Sequence, residues 1–248
     1  MRGQAFFQKD LSEGLPDWFH SVSIHSEGKR EMIHYAIAND LASLLFLTNL
    51  GCIDHNPWSS RTDDPEHPDY FFFDLDPSEG TGFPTVLEVG RALCQKLDTL
   101  KIHFFLKTSG ATGLHIYFPV ERIYTYQQLR AFGDVIAHLL ARALPRQVTF
   151  ERTVAKRPRG SVLIDVDQNA QGRPLAAAYS VRAFPQAAVS TPLLPRELRV
   201  GLRAEKFNLK TIIARIGEKG DLWADFWKRR QRIEPAVERL NAEVRKKP

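Results

Sequence analysis

An α/β (α+β) fold is predicted, with a mixed, mainly antiparallel central sheet flanked by helices in a single domain over residues 1–248. Three observations carry this expectation. The stretch YFFFDLDP at 70–77 is an apolar, aromatic run of strand length, the mark of a buried strand. Two later runs, at 114–120 and 162–167, share that character. Between them, apolar residues recur at helical spacing over 85–100, through Val86, Val89, Leu93 and Leu97, and a second helix is expected over 126–144.

The elements follow in order. Val22 and Ile24 alternate with polar residues, and 32–38 is largely apolar, so a hairpin is expected with its turn at Glu27, Gly28 and Lys29. Asn39 or Asp40 then caps a helix that Gly51 ends. Its interior, LASLLFLTNL, is apolar on nearly every side, which predicts burial. The stretch 51–61 reads as a short strand running into a polar loop with His55 and Trp58, and 62–69 is an acidic loop. After the central strand come a helix over 85–100, strands over 102–106 and 114–120, and a helix opened by a Thr125/Gln128 capping box and stopped by Pro145. The later parts are a strand over 162–167, a short strand over 179–182, a proline-punctuated connector, and helices over 208–216 and 223–240.

With 248 residues the chain is long enough for a substantial core. Its 43% apolar and 25% charged residues are those of a soluble globular protein, and no apolar run approaches membrane-spanning length. The formal charge of +5 permits an anionic partner. Cys52 and Cys94, far apart, argue against a disulfide framework or a zinc site, and a reducing cytoplasm fits. The opening MRGQAFFQKD does not read as a signal peptide.

Chemistry concentrates at strand ends. On a strand, residues i and i+2 share a face, so Asp74 and Asp76 stand side by side where Pro77 stops the ladder. Adjacent carboxylates repel, and a hard divalent cation relieves the repulsion. A solvated Asp-x-Asp turn is the plainer alternative. The turn at 107–113, KTSGATG, can offer hydroxyls and backbone N–H groups to phosphate, or be an ordinary hairpin loop. It leads into a strand bearing His115. The basic stretch at 152–159 is either a solvated loop or a phosphate-neutralising segment. It runs into VLIDVD, a second apolar strand ending in the same-face acids Asp165 and Asp167, and Arg182 follows. Acids for two divalent ions, with cationic and hydroxyl groups for phosphates, are the equipment of nucleotidyl transfer. A two-metal hydrolase uses the same equipment.

These residues resemble the polymerase domain of bacterial DNA ligase D, a primase-polymerase of the archaeo-eukaryotic primase superfamily used in non-homologous end joining. The matching strings are FFQK, DLASLLFLTNLGCIDHNPWSSR, FFFDLDPSEG, KTSGATGLHIYFPV, VLIDVDQNAQG and AAAYSVRAFPQAAVSTPL. The resemblance implies a primase-like sheet and roles position by position. Asp74, Asp76 and Asp165 match the catalytic metal ligands. Ser109, His115 and Arg182 match triphosphate contacts. His55 and Lys9 match residues on the nucleotide side, and Phe6 and Phe7 match aromatics that pack on the template base and nucleotide. The implied cofactor is a pair of Mn²⁺ or Mg²⁺ ions, with NTP or dNTP as substrate.

The implied partners are DNA with gaps or double-strand ends, Ku, and an ATP-dependent DNA ligase, with no membrane, in a cytoplasmic, nucleoid-associated setting. Three departures accompany the resemblance. The family's usual segment before FFQK is absent from the sequence, Thr112 stands where many members carry Lys or Arg, and Asp167 stands where relatives often have a neutral residue. Arg173, in the loop after Asp165, is placed to make up part of the missing charge. The expected activity is templated gap filling and end extension. An inactive DNA-end-binding module and a two-metal phosphodiesterase remain as alternatives.

Overall fold

A computed structural model describes residues 7–11, 13–26 and 31–245. The chain divides into two compact units, Met1–His55 and Asn56–Pro248. The first holds an antiparallel hairpin, β1 (Ser21–Ser26) and β2 (Glu31–Ala36), and a helix, α1 (Leu41–Asn49). The expected turn at residues 27–29 lies outside the described residues. Asp40 is the cap of α1, its carboxylate accepting from Ser43 N–H at 2.8 Å.

The expected burial of α1 does not hold. Leu41, Leu44 and Leu45 are exposed, and Ser43 is the helix's buried residue. A unit of two strands and one helix has too little surface to enclose a helix that is apolar all round. Phe46 of α1 packs with Trp18 and Phe19.

The second unit is built on a six-stranded sheet in the order β6-β7-β3-β5-β4-β8. These are β3 (Tyr70–Pro77), β4 (Phe105–Thr108), β5 (Leu114–Pro119), β6 (Val148–Thr149), β7 (Val162–Asp165) and β8 (Pro192–Leu193). Every pairing is antiparallel except β6 with β7, as the predicted mixed, mainly antiparallel sheet requires. Alternation along β3 divides the molecule. Phe71, Phe73 and Leu75 point into the main core, with Val86, Leu93 and Leu97 of α2 (Phe83–Thr99) and Leu129, Phe132 and Ile136 of α3 (Tyr126–Ala143). Phe72 points the other way, into an aromatic cluster with Tyr117 and Phe226. Beyond it on that same face come Asp74 and Asp76. The predicted capping box opens α3, with Thr125 N–H donating to Gln128 at 2.8 Å.

Several boundaries differ from expectation for physical reasons. The short strand expected to open 51–61 does not form, nor does the one over 179–182, where Val181 makes only an isolated bridge to Val189. Ile102 belongs to the turn that closes α2, its N–H bonded to Leu97 O at 2.9 Å, so β4 starts at Phe105 and takes in Lys107 and Thr108. The helix expected over 223–240 is instead a 3-10 turn at Phe226–Arg229 and a separate helix, α5 (Glu234–Arg245). Pro235 lacks an N–H and would clash with the preceding turn, so a helix can begin there but cannot pass through. Helix α4 (Leu209–Lys219) runs one turn longer than predicted. The two-residue strands β6 and β8 are too short for any periodicity to reveal. Among the described residues no helix is long and apolar enough to cross a membrane.

Helix α3 lies on β3 because it carries no side chain at Gly133. A Cβ there would stand 2.2 Å from Phe71 Cζ. Gly133→Ala should lower stability by about 2 kcal/mol through overpacking, although alanine is the better helix former by about 1 kcal/mol. Combining it with Phe71→Leu should recover part of the loss, and denaturant titration of the three variants checks both expectations.

Candidate active site

The pairing of β3 with its two neighbours assembles the site. Asp74 lies directly opposite Asp165 of β7 on one side and directly opposite His115 of β5 on the other. His115 in turn faces Lys107 of β4. Directly opposed residues project to the same face, so Asp165, Asp74, His115 and Lys107 form one row across the sheet. Asp76, two residues beyond Asp74, shares that face.

Contacts along the row are close. His115 Nε2 is 3.3 Å from Asp74 Oδ1, and Lys107 Nζ is 2.8 Å from His115 Nδ1. His115 is fully enclosed. Burial first, and then the Lys107 charge, pushes its imidazole down to about 4, with Asp74 pulling the other way. Burial also raises the Asp165 carboxyl above its ordinary value; Arg152 opposes that effect and Asp74 adds to it.

The acids meet arginines from the basic stretch. Arg157, its side chain almost fully buried, donates to Asp76 Oδ2 at 2.7 Å and to the carbonyls of Glu151 and Arg152. Arg152 spans Asp165 at 3.1 Å and Asp167 at 2.7 Å. Two cations of a stretch read as solvated or phosphate-binding are thus engaged by the protein's own acids, Arg157 enclosed and Arg152 at the surface, where Lys156 and Arg159 are also exposed. Asp167 is half-exposed and holds Arg152, and its backbone carbonyl accepts from Arg173 at 3.1 Å.

The loop after β4 folds on itself. Ser109 Oγ accepts from the N–H groups of Ala111 and Gly113, at 3.1 and 3.0 Å. Two of the donors the sequence offered to phosphate are therefore held by the loop's own hydroxyl. Arg182 is brought to the same loop, donating to Ser109 O at 2.9 Å. Gly110, with φ of +75°, permits that approach, since a Cβ would stand 2.5 Å from Arg182 Cγ.

Phe7, Lys9 and His55 belong to the first unit. Phe7 is exposed, with Lys9 Nζ 6.0 Å from its ring centroid. His55 is half-buried, with Nδ1 3.8 Å from Cys52 Sγ, and burial lowers its pKa. Phe6 lies outside the described residues.

Two further residues shape the site. Lys107, which the sequence places in the turn at 107–113, belongs to β4, where alternation from Phe105 puts it on the site's face. Asn169 is buried and acts as a substitute strand. Its side chain accepts from Phe72 N–H at 3.0 Å and donates to Phe72 O at 2.7 Å. Nothing in the sequence distinguishes it from any other turn asparagine.

A divalent cation is the group such a site implies. Asp74 and Asp165 are opposed carboxylates with Asp76 on the same face, a hard-oxygen donor set that fits Mg²⁺ or Mn²⁺. Among the described residues no three His, Cys, Asp or Glu side chains are grouped to hold an ion. Asp76 and Asp165 are turned to Arg157 and Arg152 instead.

The fold is that of a primase-polymerase. The chain belongs to the family described as LigD, primase-polymerase domain, whose model matches residues 1–223. It is 34% identical over 241 residues to the multifunctional non-homologous end joining protein LigD of Pseudomonas aeruginosa, covering 96% of this chain and 28% of that protein. It is 29% identical over 232 residues to the bifunctional non-homologous end joining protein LigD of Bacillus subtilis, covering 93% of this chain and 36% of that protein. It therefore spans little more than a third, at most, of either relative. The polymerase domain of Mycobacterium tuberculosis ligase D, solved in complex with DNA, superposes with a TM-score of 0.80 at 25% identity, over 92% of this chain and 81% of that one.

Burial of a neutral His115 gives a pH signature. The unfolded chain takes up the proton below about 6.5, the folded protein only near 4. The associated stability is whole above about pH 6.5 and is lost as pH falls toward 4. Thermal melts in chelator should show a shallower decline over that window for His115→Gln than for the parent protein.

Proposed function

We propose that this chain is a DNA-templated nucleotidyltransferase that fills gaps and extends ends with ribo- or deoxyribonucleotides during non-homologous end joining. One observation carries the reading: Asp165 is the cross-strand partner of Asp74, with His115 flanking Asp74 on the other side. In this reading Asp74, Asp76 and Asp165 hold Mn²⁺ or Mg²⁺. A cation there supplies charge that offsets the negative charge developing on the transferred phosphoryl group and the leaving pyrophosphate.

The chain's own residues do the rest. His115 brings a neutral N–H donor to the acids' edge, where it suits a phosphate oxygen without adding a titrating charge. Arg182, fixed against the Ser109 loop, adds a permanent cation. Arg152 and Arg157 balance the acids, and are in place to exchange a carboxylate for a phosphate when substrate enters. Lys9, His55, Phe6 and Phe7 are assigned to the nucleotide and template, and Arg173 to compensating charge beside Asp167. The same reading places the protein in the cytoplasm on broken DNA, with Ku and an ATP-dependent ligase as partners.

Primer extension on a gapped duplex with Mn²⁺ tests the proposal. The parent protein should release pyrophosphate and lengthen the primer. Asp74→Ala combined with Asp76→Ala should reduce incorporation by about a thousandfold or more. Undiminished incorporation by that variant refutes the assignment. Salt-dependent DNA binding without incorporation marks a binding module, and mononucleotide release without pyrophosphate marks a phosphodiesterase. Asp167→Asn should change the rate by only about threefold, because Asp167 meets Arg152 at a half-exposed position.

A further inference from the structure

We propose that Lys107 is a positioning residue that fixes the tautomer and orientation of His115, so that its Nε2–H is the edge presented to Asp74 and the nucleotide. A completely buried lysine is unusual and costly. Lys107 has 0% exposure, on a strand position where Phe105 precedes it on the same face and Tyr117 packs nearby. A leucine or methionine would fill such a position at lower cost. What Lys107 adds is a set of aimed donors.

Its Nζ lies 2.8 Å from His115 Nδ1 and 2.5 Å from Ser190 Oγ, and 5.5 Å from the centroid of the Tyr117 ring. Ser190 is itself fully buried, and its hydroxyl donates to Thr108 O at 3.0 Å. That direction leaves the Ser190 oxygen to accept from Lys107. An ammonium only donates. Facing it, His115 Nδ1 must carry the lone pair, and the imidazole proton sits on Nε2. That nitrogen is the one 3.3 Å from the Asp74 carboxylate. The chain of donors therefore runs from Lys107 through the ring to Asp74, and the ring is held at both nitrogens. This inference deepens the nucleotidyl-transfer reading, since a donor at Nε2 is what a triphosphate oxygen requires.

Histidine ¹⁵N shifts, read by long-range ¹H–¹⁵N correlation at neutral pH, separate the two tautomers. They are recorded without metal or nucleotide, so the outcome does not depend on whether the protein polymerises. The parent protein should show His115 protonated at Nε2 as a single form. Lys107→Met should shift His115 toward a mixture of tautomers. A His115 protonated at Nδ1 in the parent protein overturns the proposal, and so does an unchanged spectrum in a folded Lys107→Met. If that variant does not fold, the parent spectrum still decides, and Ser190→Ala, which removes one anchor of Lys107, should partly mix the tautomers. In primer extension, Lys107→Met should raise the nucleotide KM by about tenfold with a smaller change in kcat. A lowered kcat at unchanged KM points instead to a general structural role and counts against the proposal.

Discussion

The antiparallel register of β3 between β5 and β7 is the constraint on which the structure depends. Side chains alternate with a period of two, so a slip of one residue on either side would send Asp165 or His115 into the main core. The same slip would turn Ile164 or Ile116, both fully buried, toward the polar face. The apolar residues thus enforce the register that the polar ones need. Phe71, Phe73 and Leu75 hold β3 on one side while Asp74 and Asp76 occupy the other.

That arrangement concentrates negative charge at the edge of an aromatic layer. The protein answers with its own cations. Arg157 is almost wholly enclosed against Asp76, and Arg152 bridges Asp165 and Asp167. Lys107 sits at the far end of the row beneath Tyr117. Positive groups bracket the acids from both directions along the sheet, so no charge of the row is buried in isolation.

Much of this was legible in the sequence. An eight-residue aromatic run ending in Asp-x-Asp announces a buried strand with acids at its end, and VLIDVD repeats the signal at a distance that demands a tertiary pairing. The resemblance to the ligase D polymerase domain put these motifs in order, and the family match agrees. Lys107 escaped notice because lysine beside a glycine-rich turn reads as loop, whereas Lys107 and Thr108 both still pair with β5. Of the basic stretch, read as solvated or phosphate-neutralising, Arg157 folds inward, and a sequence does not show which arginine will do so. The exposure of α1 was missed for the opposite reason. Apolar content predicts a wish to be covered, but the surrounding unit supplies too little surface.

Asn169 ends β7 in an unusual manner. By bonding both the N–H and the carbonyl of Phe72 with one amide, it completes the hydrogen-bond ladder without a further residue of strand. The backbone is thereby free to turn away immediately after Asp165. The sheet's hydrogen bonding is thus complete at Phe72 although the chain has already left the strand, and Asp165 stands as the last residue of β7.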